Sequence, residues 1–132
     1  MVKQSVWSDS RREIDRHKWI ESEKAGRDVG EDAIYHWIRV HWCGYLRARW
    51  LEHLQGKTFW IELDRGTFGL LTSHFQDQLP LLTHIIDRLK SGQENLQIIC
   101  WALESQLPMD QVLIILEALD VNSTRLSYRF DA

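Results

Sequence analysis

From Gly30 to Gln55 apolar side chains recur at helical spacing and no proline interrupts the run. Gly56 follows as a natural helix stop. A helix over residues 30–55 is about 40 Å long at 1.5 Å per residue. Ala33, Ile34, Trp37, His41, Gly44, Tyr45, Ala48 and Leu51 share one of its faces. Tyr35, Trp42, Leu46, Trp50 and Leu54 fall elsewhere on the circumference. A helix apolar around so much of its girth is buried or shared with a partner, and the remaining elements are expected to pack around it.

Upstream, residues 1–9 are polar and expected to be flexible. Ser10 and Glu13 form a capping-box pattern that opens a helix to about Lys24, with Ile14, His17, Ile20 and Glu21 on its inward side. Asp28 and Glu31 form a second such pattern before the long helix. Downstream the period shifts to two. Residues 57–63 alternate Phe59, Ile61 and Leu63 with Thr58, Trp60 and Glu62, the pattern of a half-buried strand. Asp64-Arg65-Gly66 is a turn signal, and residues 67–71 are expected to return as the second strand of a hairpin. Ser73 and Gln76 offer a cap for a helix to about Lys90, with Pro80 as its alternative start. Ser91 with Glu94 caps a helix over 93–105, and Pro108 opens another over 109–120. Leu126, Tyr128 and Phe130 alternate as a final strand. The predicted fold is a single α+β domain, mainly α: about five helices around the long central one, with a small antiparallel sheet of two or three strands.

Composition changes this picture little. A chain of 132 residues with 44% hydrophobic and 27% charged residues is an ordinary globular domain. A net charge of −3 makes a general nucleic-acid binder unlike it. No apolar run reaches the 18 residues of a membrane span, and Met1–Asp9 has no signal-peptide core. Cys43 and Cys100, both in apolar helical contexts, read as reduced core thiols of a cytoplasmic protein. Seven tryptophans are the one oddity, and they imply large stiff contact surfaces.

The stretch His17-Lys-Trp-Ile-Glu-Ser-Glu-Lys-Ala-Gly-Arg-Asp-Val-Gly30 resembles a segment of uncharacterised bacterial domains of unknown function. It covers about a tenth of the chain. The resemblance implies a bacterial source and carries no catalytic residue with it.

Two groups of residues bear on function. His17 and Glu21 are one turn apart, Glu13 precedes them by a turn, and His41, Tyr45 and Glu52 lie on or beside the inward face of the long helix. Imidazoles and carboxylates from facing helices can hold a divalent metal or do acid–base work. The paired Glu-x-x-His and the His-Glu-x-x-His signatures are both absent, so no cofactor is predicted. The second group is Tyr35, Arg39, Trp42, Arg49, Trp50 and His53, the residue types of protein–protein hot spots. With Arg47 they also resemble a stacking platform for single-stranded nucleic acid, a reading the acidic balance weighs against. Gly44 and Ala48 would permit a close helix crossing. The expectation is a cytoplasmic protein-interaction or regulatory module that binds a protein partner or itself. The alternative is a metal-dependent or acid–base enzyme using the His/Glu group.

Overall fold

A computed structural model describes residues 2–122 and 126. Among them are six α-helices and one two-stranded parallel sheet: β1 (Lys3–Gln4), α1 (Val6–Ala25), α2 (Glu31–Leu54), β2 (Phe59–Trp60), α3 (Leu70–His74), α4 (Leu79–Lys90), α5 (Asn95–Glu104) and α6 (Met109–Leu119). The mainly helical α+β class stands. α2 is the central element, with α1 along one flank and α4 and the sheet segment against others.

The N-terminus is built into the body rather than loose. β1 pairs with β2 in parallel, Lys3 opposite Phe59 and Gln4 opposite Trp60. α1 starts at Val6, four residues before Ser10, because Ser5 caps it by accepting the Trp7 N–H (3.2 Å). Glu62 completes the cap from across the sheet: it accepts the Val6 N–H (3.0 Å) and the Ser5 hydroxyl. A carboxylate there neutralises unpaired donors and the positive end of the helix dipole. Val6 behind it is fully buried.

The antiparallel hairpin predicted over 57–71 does not form. The strand lasts two residues and passes into a 3₁₀ turn over Ile61–Leu63, while 67–71 lead into α3. The reason lies at the loop base. The Gly69 N–H donates to the His53 carbonyl (3.0 Å), and the Gly56 and Gly69 backbones approach so closely that a Cβ on Gly56 would meet Gly69 Cα at 3.3 Å. Both glycines have positive φ (75° and 71°). They therefore close a compact loop instead of propagating a ladder. α4 begins at the proline turn, with Pro80 in its first turn. α5 carries a capping box in which Gln97 accepts the Glu94 N–H (2.7 Å). The predicted strand over 124–130 lies outside the described residues, apart from Leu126.

The buried side of α2 is Ala33, Trp37, Trp42, Leu46, Trp50, Leu51, His53 and Leu54. Its later turns are enclosed around most of their girth because the 56–69 loop folds back over them. His41 and Gly44, placed on the inward face by periodicity, are exposed. Nothing lies within 4 Å of where a Gly44 Cβ would be, so the small-residue crossing does not occur there. Cys43 and Cys100 are exposed free thiols rather than core residues.

Candidate functional site

Two regions carry groups the core does not absorb. The first is the seam between α1 and α2. The antiparallel pairing of these helices sets the imidazole of His17 against two from α2: its ring centroid is 6.2 Å from that of His41 and 5.7 Å from that of His36. His17 Nε2 is shut from solvent without a hydrogen-bond partner. The His17 and His41 rings line an open groove of about 490 Å³ with Glu13, Arg16, Trp37 and Tyr45.

At one end of the groove the Tyr45 hydroxyl donates to Asp9. Burial, then the hydrogen bond to Asp9, push the tyrosine far above its ordinary range, so the hydroxyl keeps its proton and donates. Asp9 also pairs with Arg49 (3.7 Å), and Arg49 with Glu52 (3.1 Å), whose other oxygen accepts the Trp60 indole N–H (3.2 Å). This chain of partners ties α1, α2 and β2 together.

Thus His17, His41 and Tyr45 are brought together. Glu21 pairs instead with Lys24 (3.6 Å), and Glu52 belongs to the arginine network outside the groove. Among the described residues, no three His, Cys, Asp or Glu side chains form a group that could hold a metal ion. Sequence reasoning missed His36 and Asp9. Asp9 had a signal, since Asp9, Glu13 and His17 follow one another at four-residue steps.

The residues expected on an open interface are placed differently. Trp42, Trp50 and His53 are buried, so they cannot face a partner in this fold. The Trp42 and Trp50 indoles donate to the carbonyls of Leu126 (2.6 Å) and Leu119 (2.7 Å). His53, at 0% exposure, organises the 56–69 loop. Its Nδ1 accepts the Trp60 N–H (3.1 Å), which leaves the proton on Nε2 to meet Asp64 (3.2 Å). Phe59 and Phe68 stand edge-on to the ring at 4.9 and 5.2 Å. Burial holds this imidazole below its ordinary pKa, against the opposing pull of Asp64. Arg49 is tied into the seam and Arg47 is held by Glu94 in a two-pronged pair (3.1 Å each). Tyr35 and Arg39 remain exposed, but the continuous basic aromatic platform does not assemble.

The second region is the α5–α6 hairpin. Ile98 and Ala102 bury one face of α5. Leu96, Cys100 and Leu103 form an apolar stripe turned away from it, with Leu96 70% and Leu103 59% exposed, and half-buried Ile99 at its edge packs against the core. Leu113 of α6 (48% exposed) adjoins Ile99 in a cleft of about 260 Å³ that also includes Leu116, Glu117, Asp120 and Val121. The spacing i, i+4, i+7 of this stripe was readable in the sequence; a second apolar face on the same helix masked it.

No known protein family, curated protein or solved structure matches the chain. Among the described residues no helix is long and apolar enough to cross a membrane.

Proposed function

We propose that this chain is a protein-interaction module that binds through the α5–α6 face. The observation supporting this reading is the exposed apolar stripe Leu96–Cys100–Leu103 on α5, edged by the cleft in which Leu113 of α6 adjoins Ile99. Scattered exposed leucines are ordinary, whereas a run along one helix face flanked by polar groups is what interaction surfaces present. The tryptophans and arginine that suggested a partner surface on α2 serve the core and the seam, which moves the binding surface to the other end of the chain.

The test is site-specific photocrosslinking in living cells. A benzoylphenylalanine at position 103 is expected to give a discrete protein adduct that disappears when Leu96→Glu is added. The same group at position 87, exposed on α4, is expected to give none. Equal adducts from both positions, or none from 103, would end the reading.

A second reading, a ligand-binding or acid–base site in the α1–α2 groove, has one observation behind it: His17 and His41 meet at 6.2 Å. Its measurement is the titration of the two imidazole resonances by NMR with and without zinc. Independent titration of the two rings, unchanged by zinc, would remove it.

A further inference from the structure

The α5–α6 segment has a charge character that the rest of the chain does not share, the cations against it being Arg47 on Glu94 and Arg88 over Trp101 on the side of α4. Between Gln93 and Asn122 there are five carboxylates, Glu94, Glu104, Asp110, Glu117 and Asp120, and no lysine or arginine. The whole chain is only −3, so the remainder is net positive. Glu94 is engaged by Arg47. Glu117 and Asp120 line the cleft beside Ile99, and Glu104 and Asp110 are exposed, one residue after Leu103 and three before Leu113.

We infer that the occupant of this face is a basic amphipathic helix belonging to a partner protein, an inference that rests on the interaction-module reading above. Two packed helices leave a groove between their ridges, and a third helix fits such a groove. The stripe from Leu96 to Leu103 runs about 10 Å, two helical turns, so it matches anchors at i, i+3, i+4 and i+7 of an incoming helix. An extended peptide finds no strand edge on this hairpin, whose backbone groups are committed to helices. The acidic border selects lysine or arginine on the flanks of that helix. It also disfavours two other occupants. A second copy docked face to face would set Glu104, Asp110 and Glu117 against the same carboxylates, and like charges opposed across an interface cost affinity. An anionic membrane surface is repelled for the same reason.

The experiment uses the full chain and two labelled synthetic 18-residue helices with an identical leucine face, one flanked by lysines and one by glutamates. Fluorescence anisotropy is expected to show the lysine peptide binding at least about tenfold more tightly at low salt, with the preference shrinking as salt screens the border. Leu96→Glu with Leu103→Glu is expected to abolish binding of the lysine peptide while near-UV circular dichroism stays native, since both side chains are exposed. Glu104→Lys with Glu117→Lys is expected to shift the preference toward the glutamate peptide. Glu23→Lys, an exposed acid on α1, is expected to change nothing, which separates this face from general attraction of cations to an acidic protein. Equal affinity for the two peptides overturns the inference, as does co-sedimentation of the wild-type chain with phosphatidylserine vesicles. If neither peptide binds but sedimentation shows a dimer that Leu103→Glu dissolves, the basic-helix inference fails and the interaction-module reading survives. If neither peptide binds and position 103 gives no cellular adduct, both fail.

Discussion

The chain contains two helical hairpins, α1–α2 and α5–α6, that solve opposite problems. The seam of α1–α2 is polar and aromatic: Asp9, Tyr45, Arg49 and Glu52 satisfy one another, and His17 sits among three other rings' worth of imidazole and indole, close to His36, His41 and Trp37. Most of its polar groups are partnered across the seam, His17 Nε2 being an exception, and its outer surface mixes charges with single exposed side chains such as Trp19, Tyr35 and Val40. The α5–α6 hairpin has no basic residue and is apolar on two sides of α5, one against the core and one toward solvent. One hairpin spends most of its polar chemistry internally and exposes apolar side chains among charges; the other lines up Leu96, Cys100 and Leu103 along one helix face. Binding energy comes chiefly from apolar area that remains to be removed from water, which is why the second hairpin is the proposed docking surface although the first holds more functional groups.

The comparison breaks if α2 is not the central buried element. Trp50 is 3% exposed and its indole N–H caps the α6 carbonyl end at Leu119. Trp50→Ala is expected to cost about 3–5 kcal/mol in urea denaturation, from the cavity and the orphaned carbonyl together. A loss below about 1 kcal/mol would mean that the tryptophan is peripheral.

His53 sharpens the same point with pH. The imidazole satisfies the Trp60 N–H and Asp64 only in its neutral form, and His53→Leu leaves both without that partner. The expected cost is about 2–3 kcal/mol at pH 7.5. Its folded-state pKa lies below the ordinary 6.5, so its stabilising contribution is present above about pH 6.5 and is lost as pH falls through the folded-state value. The gap between wild type and His53→Leu is therefore expected to narrow toward pH 5. A gap that widens on acidification would mean the ring is protonated in the fold.

Tyr45→Phe probes the seam more gently, because Asp9 keeps Arg49 when the hydroxyl is removed. The expected loss is about 1 kcal/mol near neutral pH. The raised pKa of Tyr45 adds stability below the ordinary value of 10, lost as pH climbs above it. The variant is thus expected to show a flatter alkaline limb. An identical limb in both proteins would detach Tyr45 from Asp9.

Much of this was legible in the sequence. The limits of α2, the proline start of α4, the last two helices and the meeting of His17 with His41 all follow from periodicity, breakers and spacing. What failed did so for physical reasons. Alternation over 57–63 reads as a strand, but Gly56 and Gly69 bring the loop base together and the imidazole of His53 claims the Trp60 N–H that a partner strand would have used. Hot-spot residue types on α2 read as an interface because tryptophan and arginine are equally suited to burial when indole N–H groups find carbonyls and a guanidinium finds carboxylates. Glu62 capping α1 from 56 residues away has no local signal at all.

The smallest expected effect tests the comparison most directly. Leu51 and Leu103 are the same side chain on two helices, one fully buried and one 59% exposed. Truncating Leu51 removes methyl groups from a closed core and leaves a cavity, at about 2–5 kcal/mol. Leu103→Ala removes groups that solvent already reaches on α5, and alanine is the stronger helix former, so the expected change is within about 0.5 kcal/mol of zero. On the proposed reading the free chain gains almost nothing from Leu103, whose apolar surface would contribute when a partner covers it. The same substitution is expected to weaken binding of the lysine-flanked helix while unfolding midpoints coincide. If Leu103→Ala instead destabilises the free chain by about 2 kcal/mol or more, the outer stripe of α5 is already packed within the chain, and the contrast between the two hairpins is gone.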